Sequence, residues 1–224
     1  MSVASHLIEV GSYYYSSTQL QGGRTAPYSV RFPTKTDDAF IDFLADRAIE
    51  VFPWRDWSTL WIFGIAESGI PLARGVWRGM EKVVHDVRLR IVSSHDERFA
   101  LDPGSSGETT IIVDNAITTG ATLQRVHQRL IAVGHSYQVA VRFFDREEVE
   151  ADGRSLLDPI RMELGINILS MFRIRDLLPD LPEEERQTIL NHLVHSGSPD
   201  VREYVEASYV FKDGSWSSRG TGHP

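Results

Sequence analysis

The chain has 224 residues, with 23 Lys and Arg against 31 Asp and Glu, so its formal net charge is −8. This length fits one domain with at most a small subdomain, and the acidic balance argues against nucleic acid and anionic membranes as partners. The sequence has no cysteine, which excludes disulfides, thiolate metal sites and cysteine nucleophiles. It has no apolar run of the roughly 20 residues that span a bilayer and no signal-peptide pattern, so we expect a cytoplasmic protein.

The first part of the chain predicts mainly helical structure. Three tyrosines at 13–15, followed by Gly22-Gly23-Arg24, predict a short helix that runs into a turn. A helical pattern then starts at Thr36 and ends before Pro53.

Short apolar runs predict the strands of a sheet, with helical patterns between them. The predicted strands are Leu60–Ile65, a strand within Lys82–Ile91, Thr110–Asp114, Val139–Phe144 and Ile166–Phe172. The predicted helices start at Pro71, cover Leu123–Val133 and finish with Pro182–Val194. This alternation favours an α/β fold with a doubly wound parallel sheet. Ligands of such sheets bind beyond the carboxyl ends of the strands, which here are Ala66–Gly69, Asp114–Thr122 and Asp145-Arg146.

Two other segments show no regular pattern. Val92–Glu108 is long for a loop in a compact domain, and such loops are usually functional lids or disordered. The tail Gly214–Pro224 is rich in Gly and Ser and predicts disorder.

The segment after the strand Thr110–Asp114 combines the features of a sugar-phosphate site. Asp114 and Asn115 offer a carboxylate and an amide to the vicinal hydroxyls of a sugar. The mouth of the next helix supplies hydroxyl donors, a glycine and backbone N–H groups for a phosphate, at Thr118, Thr119, Gly120, Ala121 and Thr122. The alternative, threonines that only cap a helix, is weakened by the unbroken order of strand, acidic tip, T-T-G-x-T and amphipathic helix.

At these residues the chain resembles the type I phosphoribosyltransferases, whose signature is an apolar strand, two acidic residues and a loop rich in threonine and glycine. Three more segments resemble the orotate branch of that family. Leu20–Tyr28 is similar to its L-K-S-G-R-x-S-P-Y segment, Phe63–Ala73 to its pyrophosphate loop F-G-x-A-Y-K-G-I-P, and Phe144–Glu148 to its D-R-x-E segment. Because the motifs occur in family order, the resemblance is specific for the family and less specific for the activity.

The resemblance implies a flavodoxin-like sheet with a small hood subdomain. Its boundaries would be 1–35 for an N-terminal hood and base-side segment, 36–195 for the core and 196–224 for a C-terminal extension. It also implies a homodimer in which each hood reaches the neighbouring site.

Orotate phosphoribosyltransferases join a pyrimidine carboxylic acid to phosphoribosyl pyrophosphate with Mg²⁺ and release pyrophosphate, through a transition state with oxocarbenium character. The resemblance therefore implies phosphoribosyl pyrophosphate and a small base or nucleotide as ligands, with Mg²⁺ as the cofactor and Asp114 as its ligand. It implies catalytic roles for Asp114 and Asn115, and for His95 and Arg98 if Val92–Glu108 closes as a mobile hood.

The same resemblance implies substrate-binding residues. Pyrophosphate would face Ala66, Glu67, Ser68 and Gly69. The ribose would bind Asp114 and Asn115, and the 5′-phosphate would bind Thr118–Thr122. The base would lie near Gln21, Tyr28 and Thr118, with its carboxylate on Arg146, whose planar guanidinium can bind both oxygens. For Arg146 alone, a solvated arginine after a strand is the alternative.

Several departures from the family pattern remove charge from the site. Gln21 and Glu67-Ser68 stand where the family has lysine and tyrosine-lysine, Asn115 replaces an acid, and Val92–Glu108 contains no lysine. Losing one preorganised donor typically costs about 3 kcal/mol or more in the transition state. Positive groups on or beside Val92–Glu108 could compensate if that segment closes over the site. They are Arg88, Arg90, His95 and Arg98. The alternative is that each is a solvated surface residue.

Of the residues that depart from the family pattern, Glu67 has the largest number of possible roles. It repels pyrophosphate unless it binds Mg²⁺ or points away, and it could instead contact a cationic or hydroxylated substrate. The sequence thus supports an orotate-type transferase first. It leaves open a non-catalytic relative that binds a ribose phosphate or nucleotide as a sensor or partner protein, and a transferase for a different base or donor.

Overall fold

The computed structural model describes residues 2–19, 25–53, 57–67, 69–93, 103–104, 108–117, 120–135, 137–149, 154–155 and 157–219. The first half of the chain contains four short strands between two helices, followed by the first strands of the main sheet. In chain order these elements are α1 (Val3–Glu9), β1 (Tyr13–Tyr14), β2 (Thr18–Gln19), β3 (Thr25–Ala26), β4 (Ser29–Val30), α2 (Asp38–Val51), β5 (Thr59–Ile65), α3 (Ile70–Met80), β6 (Asp86–Val92) and β7 (Thr109–Val113).

The second half completes the sheet and adds a helical carboxyl-terminal part. Its elements are α4 (Ala121–Ala132), β8 (Tyr137–Asp145), α5 (Asp158–Leu164), β9 (Asn167–Arg173), α6 (Ile174–Leu177), a 3₁₀ helix (Leu178–Asp180), α7 (Glu183–Ser196), α8 (Pro199–Ser208), β10 (Tyr209–Lys212) and β11 (Ser215–Ser218). Within the described ranges, no helix is both long and apolar enough to cross a membrane.

The chain divides into two compact units. One unit contains residues 34–145 and 156–172 and carries the main sheet, and the other contains residues 1–33, 146–155 and 173–224. The predicted boundaries after residues 35 and 195 stay predictions.

The five long strands form one sheet in the order β6-β5-β7-β8-β9. β5 pairs in parallel with β6 and with β7, and β7 pairs in parallel with β8. This is the flavodoxin-like order, so the predicted α/β fold with a doubly wound parallel sheet is confirmed. The order reverses between β5 and β7, and doubly wound sheets bind their ligands at such a switch point.

Apolar residues on the strands explain why the sheet is buried. β5 is almost continuously apolar, as expected of a strand covered on both faces. Its Trp61, Phe63 and Ile65 pack in one cluster with Ile112 of β7. The stripe that α4 presents to this cluster consists of Leu123, Val126 and Leu130, at the helical spacing that the sequence shows.

The amino-terminal prediction is correct for a helix and wrong for its extent. α1 is capped by Ser2 and ends at Glu9, and Gly11 then adopts a φ of 66°. Tyr13 and Tyr14 form a strand that pairs antiparallel with β4, because aromatic residues fit a pleated, half-buried surface. The predicted turn at Gly22–Arg24 lies outside the described residues.

The prediction for the carboxyl terminus is wrong over Gly214–Ser218, and Pro182–Val194 does not contain the final helix. α8 follows α7, and β10 and β11 form an antiparallel hairpin. Its turn is Asp213-Gly214, both with positive φ, which matches the twist of two-residue hairpins. Trp216 secures the second strand, because its Nε1–H donates to Asn191 Oδ1 at 2.9 Å. Residues 220–224 lie outside the described part.

Candidate active site

The loop between β7 and α4, residues 114–120, is fixed at its start by the sheet. The Asp114 N–H donates to the Val141 carbonyl at 2.9 Å, and the Phe143 N–H donates to the Asn115 carbonyl at 3.2 Å. These bonds extend the pairing of β7 with β8 by two residues. The sheet therefore fixes the backbone of Asp114 and Asn115.

Asp114 is a buried carboxylate. Its exposed fraction is 9%, and among the described residues it forms no ion pair. Burial raises its pKa to about 6, although the backbone N–H groups of Asn115 and Ala116 bind the carboxylate and act in the opposite direction. A buried carboxylate without a cation keeps its acceptor capacity for a hydroxylated or cationic ligand.

The second half of this loop forms the start of α4. Gly120 is the residue before the helix and has a φ of 75°, a conformation that glycine adopts without strain. It has no side chain that could cap the first turn, and the backbone N–H groups at the start of a helix attract anions. A small cavity of about 40 Å³ opens there between Asp114 and the first turn, lined also by Ala116, Ile117 and Gly120–Leu123.

The loop between β5 and α3, residues 66–69, lies next to the β7 end. Gly64 is the β5 partner of Val113, and the two loops therefore leave the sheet side by side. Gly69 fits closely there: a Cβ atom on it would lie 2.6 Å from the Ile65 carbonyl oxygen and 3.0 Å from that of Val113. Glu67 is exposed, and the Ala66–Glu67 peptide bond is cis.

Two of the arginines that could compensate for the missing lysines make contacts on the sheet. Arg88 binds Asp86 at 2.6 Å through Nη2 and lies over the Trp61 ring. Arg90 also lies over Trp61, with 5.7 Å between its Cζ and the ring centroid. These contacts fit surface positions on β6 better than a role at the pyrophosphate.

Arg146 follows the last residue of β8 and binds the carboxylate of Glu148. Its Nη2 and Nε donate to Glu148 Oε1 at 2.8 and 3.1 Å. Its Nη1 donates to the Tyr28 carbonyl at 3.3 Å, and its Cζ lies 4.2 Å from the centroid of the Tyr28 ring. The predicted substrate-binding residues Arg146 and Tyr28 are therefore in direct contact.

Glu148 and His192 complete this group, and sequence reasoning assigned neither of them a role. His192 Nε2 lies 3.1 Å from the same Glu148 oxygen. Burial opposes the ionisation of Glu148, but His192 and the Arg146 guanidinium outweigh it and hold its pKa below the ordinary value. Glu148 stands in the D-R-x-E segment and could have been found there, whereas His192 is 44 residues away in sequence.

Several predicted site residues lie outside the part of the chain that the structure describes. They are Gln21, Ser68, His95, Arg98, Thr118 and Thr119. Their roles stay predictions, as does the closure of Val92–Glu108 over the site.

The metal-binding capacity of the described residues is small. Within the described ranges, no three His, Asp or Glu side chains converge in an arrangement that could hold a metal ion. Asp114 supplies a single buried carboxylate at the cavity. Because Mg²⁺ often binds through one or two carboxylates and the phosphates of a substrate, this donor set fits an ion that arrives with a diphosphate.

The sequence is similar to proteins named orotate phosphoribosyltransferase. The relative from Pyrobaculum aerophilum is 22% identical over 192 residues, which cover 84% of this chain and 95% of that protein. The relative from Saccharolobus solfataricus is 25% identical over 202 residues, covering 87% of this chain and 97% of that protein. No known family profile matches the chain.

Solved structures share the fold. Orotate phosphoribosyltransferase from Francisella tularensis superposes with a TM-score of 0.68 at 17% identity, covering 87% of this chain and 98% of that one. The enzyme from Mycobacterium tuberculosis, in complex with 5-phospho-α-D-ribosyl 1-diphosphate, gives a TM-score of 0.52 at 18% identity, covering 78% of this chain and 95% of that one.

The sheet order and the superpositions show that the chain has the fold of these phosphoribosyltransferases. The relatives to which it is similar in sequence are named orotate phosphoribosyltransferase.

Proposed function

We propose that the protein is an orotate-type phosphoribosyltransferase, an enzyme that transfers phosphoribosyl from phosphoribosyl pyrophosphate to a pyrimidine-like base. The observation that carries this proposal is the loop at residues 114–120, where a buried carboxylate and the start of α4 line one cavity at the switch point of the sheet. Sequence relatives named orotate phosphoribosyltransferase, aligned over most of their length, support the same reaction.

In the proposed reaction, the bond from ribose C1′ to pyrophosphate breaks, and the electron pair leaves with pyrophosphate. A base nitrogen bonds to C1′, and its proton is released to water. Asp114 and Asn115 accept hydrogen bonds from the ribose hydroxyls. The first turn of α4, with Thr122, binds the 5′-phosphate. Holding the sugar in this way removes much of the entropic cost of bringing the reactants together.

The loop at residues 66–69 is proposed to face the pyrophosphate, with Gly69 allowing its close approach to β7. Mg²⁺ would supply charge neutralisation of the leaving group, and Asp114 is the carboxylate of the described residues that we assign to it. Arg146 is proposed to bind the acidic group of the base. Cytoplasmic location and a homodimer complete the proposal and rest on the family resemblance.

The direct test is an activity assay. Purified protein is incubated with phosphoribosyl pyrophosphate, Mg²⁺ and either orotate, uracil or adenine, and pyrophosphate release is measured. Release that requires orotate supports the proposal. Release with another base alone would change the acceptor, and no release with any base would contradict transferase activity.

A second candidate function is binding of a ribose phosphate or nucleotide without turnover. Its specific support is the scarcity of lysine, since the chain has only Lys35, Lys82 and Lys212, and Lys82 binds Asp46 at 2.9 Å. Calorimetry with a pyrimidine nucleoside monophosphate separates the two functions. Binding without pyrophosphate release favours the second candidate, and turnover at an ordinary enzymatic rate rules it out.

A further inference from the structure

Three different contacts fix the Arg146 guanidinium. Glu148 takes the edge formed by Nε and Nη2, the Tyr28 carbonyl takes Nη1, and the Tyr28 ring lies against the face. A guanidinium has five N–H groups, and these contacts use three of them. Within the described ranges, Arg146 has no other hydrogen-bond partner, so part of its donor capacity stays available for an anionic ligand.

All the polar contacts of Glu148 meet on one carboxylate oxygen. Oε1 receives both bonds from Arg146, lies 3.1 Å from His192 Nε2 and accepts from the Tyr28 hydroxyl at 3.3 Å. Oε2 has no hydrogen-bond partner in the part of the chain that the structure describes. The side chain is only 5% exposed. A buried acceptor with this many donors restricts the orientation of each of them.

The backbone around Glu148 is held independently of Arg146. Glu147 has a φ of 55°, in the left-handed region where a long side chain is uncommon. Its carboxylate binds Arg175 at 2.5 and 2.6 Å, and its carbonyl accepts from the Ser198 N–H at 2.6 Å. On the other side, the Val149 N–H donates to the Ser196 carbonyl at 2.9 Å. These contacts stabilise the strained backbone conformation of Glu147, which brings the side chains of Arg146 and Glu148 into contact.

We propose that Glu148 is a positioning residue that holds the Arg146 guanidinium for the acidic group of the acceptor base. The inference rests on the proposed function, because it assumes that Arg146 binds that group. Glu148 acts through Arg146 and touches no substrate. Its removal therefore affects recognition of an acidic base and leaves binding of phosphoribosyl pyrophosphate unchanged.

The experiment compares four single variants and the double variant Arg146→Ala/Glu148→Ala by steady-state kinetics with orotate and phosphoribosyl pyrophosphate. Glu148→Ala removes the acceptor, and Glu148→Gln keeps Oε1 while its amide replaces Oε2. Arg146→Ala removes the guanidinium itself. Glu50→Gln is the matched control, since Glu50 binds Arg47 at 2.9 Å on the surface of α2 and the change in charge is the same.

We expect Glu148→Ala to raise the KM for orotate by roughly 10- to 100-fold, as for the loss of hydrogen bonds to a charged group. The KM for phosphoribosyl pyrophosphate should stay within about twofold of the wild type, and Glu148→Gln should keep the orotate KM within about threefold. In Arg146→Ala, the further change Glu148→Ala should have no additional effect on the orotate KM, because the two residues act as one unit.

Two results would overturn the inference. One is an unchanged orotate KM in Glu148→Ala, and the other is an equal loss for both substrates, which indicates a general structural role. If wild-type protein shows no turnover with orotate, the proposed function fails instead. The positioning role is then tested by NMR of the Arg146 side-chain Nε–H, whose exchange with water should be faster in Glu148→Ala than in Glu148→Gln. Equal exchange rates would contradict it.

Discussion

Asp114 and Glu148 are both buried carboxylates, and their surroundings shift their pKa values in opposite directions. Around Asp114, burial dominates over two backbone N–H groups and raises the pKa to about 6. Around Glu148, a guanidinium and an imidazole outweigh burial and lower the pKa. Glu148 is paired with cationic groups of the protein, whereas Asp114, at the cavity by α4, has no cationic partner among the described residues.

A buried carboxylate without a cationic partner costs stability and is expected where a ligand completes its surroundings. Asp114 fits that description, since it forms no ion pair with the described residues and lines the cavity at the start of α4. Glu148 fits the other description, a group that organises its neighbours. The first carboxylate should therefore matter most for binding and the second for the fold and for positioning.

The largest expected effect is that of Asp114→Ala. It removes the acceptor for the ribose hydroxyls, so affinity for phosphoribosyl pyrophosphate should fall by at least about 100-fold, the loss of two hydrogen bonds to a charged group. Isothermal titration calorimetry measures it. Asp46→Ala removes an exposed aspartate and should bind normally. A loss of less than tenfold in Asp114→Ala would separate Asp114 from the sugar site.

Opposite stability changes are expected when each carboxylate is replaced by its amide. Burial raises the pKa of Asp114 from its ordinary 3.8 to about 6 in the folded protein, so stability is lost as the pH rises from about 4 to about 6 and the carboxyl ionises. Asp114→Asn should then stabilise the protein at pH 8 by up to about 3 kcal/mol and have little effect near pH 4.

Glu148 has a lowered pKa, so its stabilising contribution is present at neutral pH and lost in acid. Glu148→Gln should destabilise the protein at pH 8 by about 1–2 kcal/mol. Urea unfolding at both pH values measures the two changes. The same sign for both variants at pH 8 would contradict the contrast between the two sites.

Binding of the sugar phosphate should depend on pH through Asp114. Below pH 6 the protonated carboxyl becomes a poorer acceptor, so affinity should fall by about tenfold per pH unit. Phosphate groups of the ligand also titrate near pH 6. Asp114→Asn is therefore the reference, because its pH dependence comes from the ligand and not from residue 114. Parallel pH profiles for the two proteins would show that Asp114 does not titrate at the site.

The smallest expected effect concerns Glu67, an exposed carboxylate in the other loop. Glu67→Lys restores positive charge where pyrophosphate is proposed to leave. We expect kcat to rise by about five- to tenfold, which is less than the rate effect of one preorganised hydrogen-bond donor. Pyrophosphate release under saturating substrates measures it. Glu81→Lys makes the same change after the end of α3 and should leave kcat unchanged. A fall in kcat for Glu67→Lys would instead favour a role of Glu67 in binding Mg²⁺.

The main sheet and the loop after β7 could be predicted because their signals are local. Continuous apolar runs mark β5 and β7, and the acidic tip with its glycine lies within ten residues of chain. The sequence places these features correctly without knowledge of any distant contact.

The remaining structure depends on contacts between distant residues or on very short elements. β1 and β4 have two residues each and exist through pairing across 15 or more positions, as Tyr13 with Val30. The contact of Glu148 with His192 also joins residues far apart in sequence. The hairpin at Asp213-Gly214 is different, because its turn signal is local but lies in a tail whose Gly- and Ser-rich composition is typical of disorder.

The central claim is that residues 114–122 bind a phosphorylated pentose, and a crystal structure with a pyrimidine nucleoside monophosphate tests it most directly. We predict the ribose hydroxyls within hydrogen-bonding distance of the Asp114 carboxylate and the phosphate against the backbone N–H groups of the first turn of α4. A nucleotide bound elsewhere, with the Asp114 cavity filled by the protein's own chain, would contradict the account.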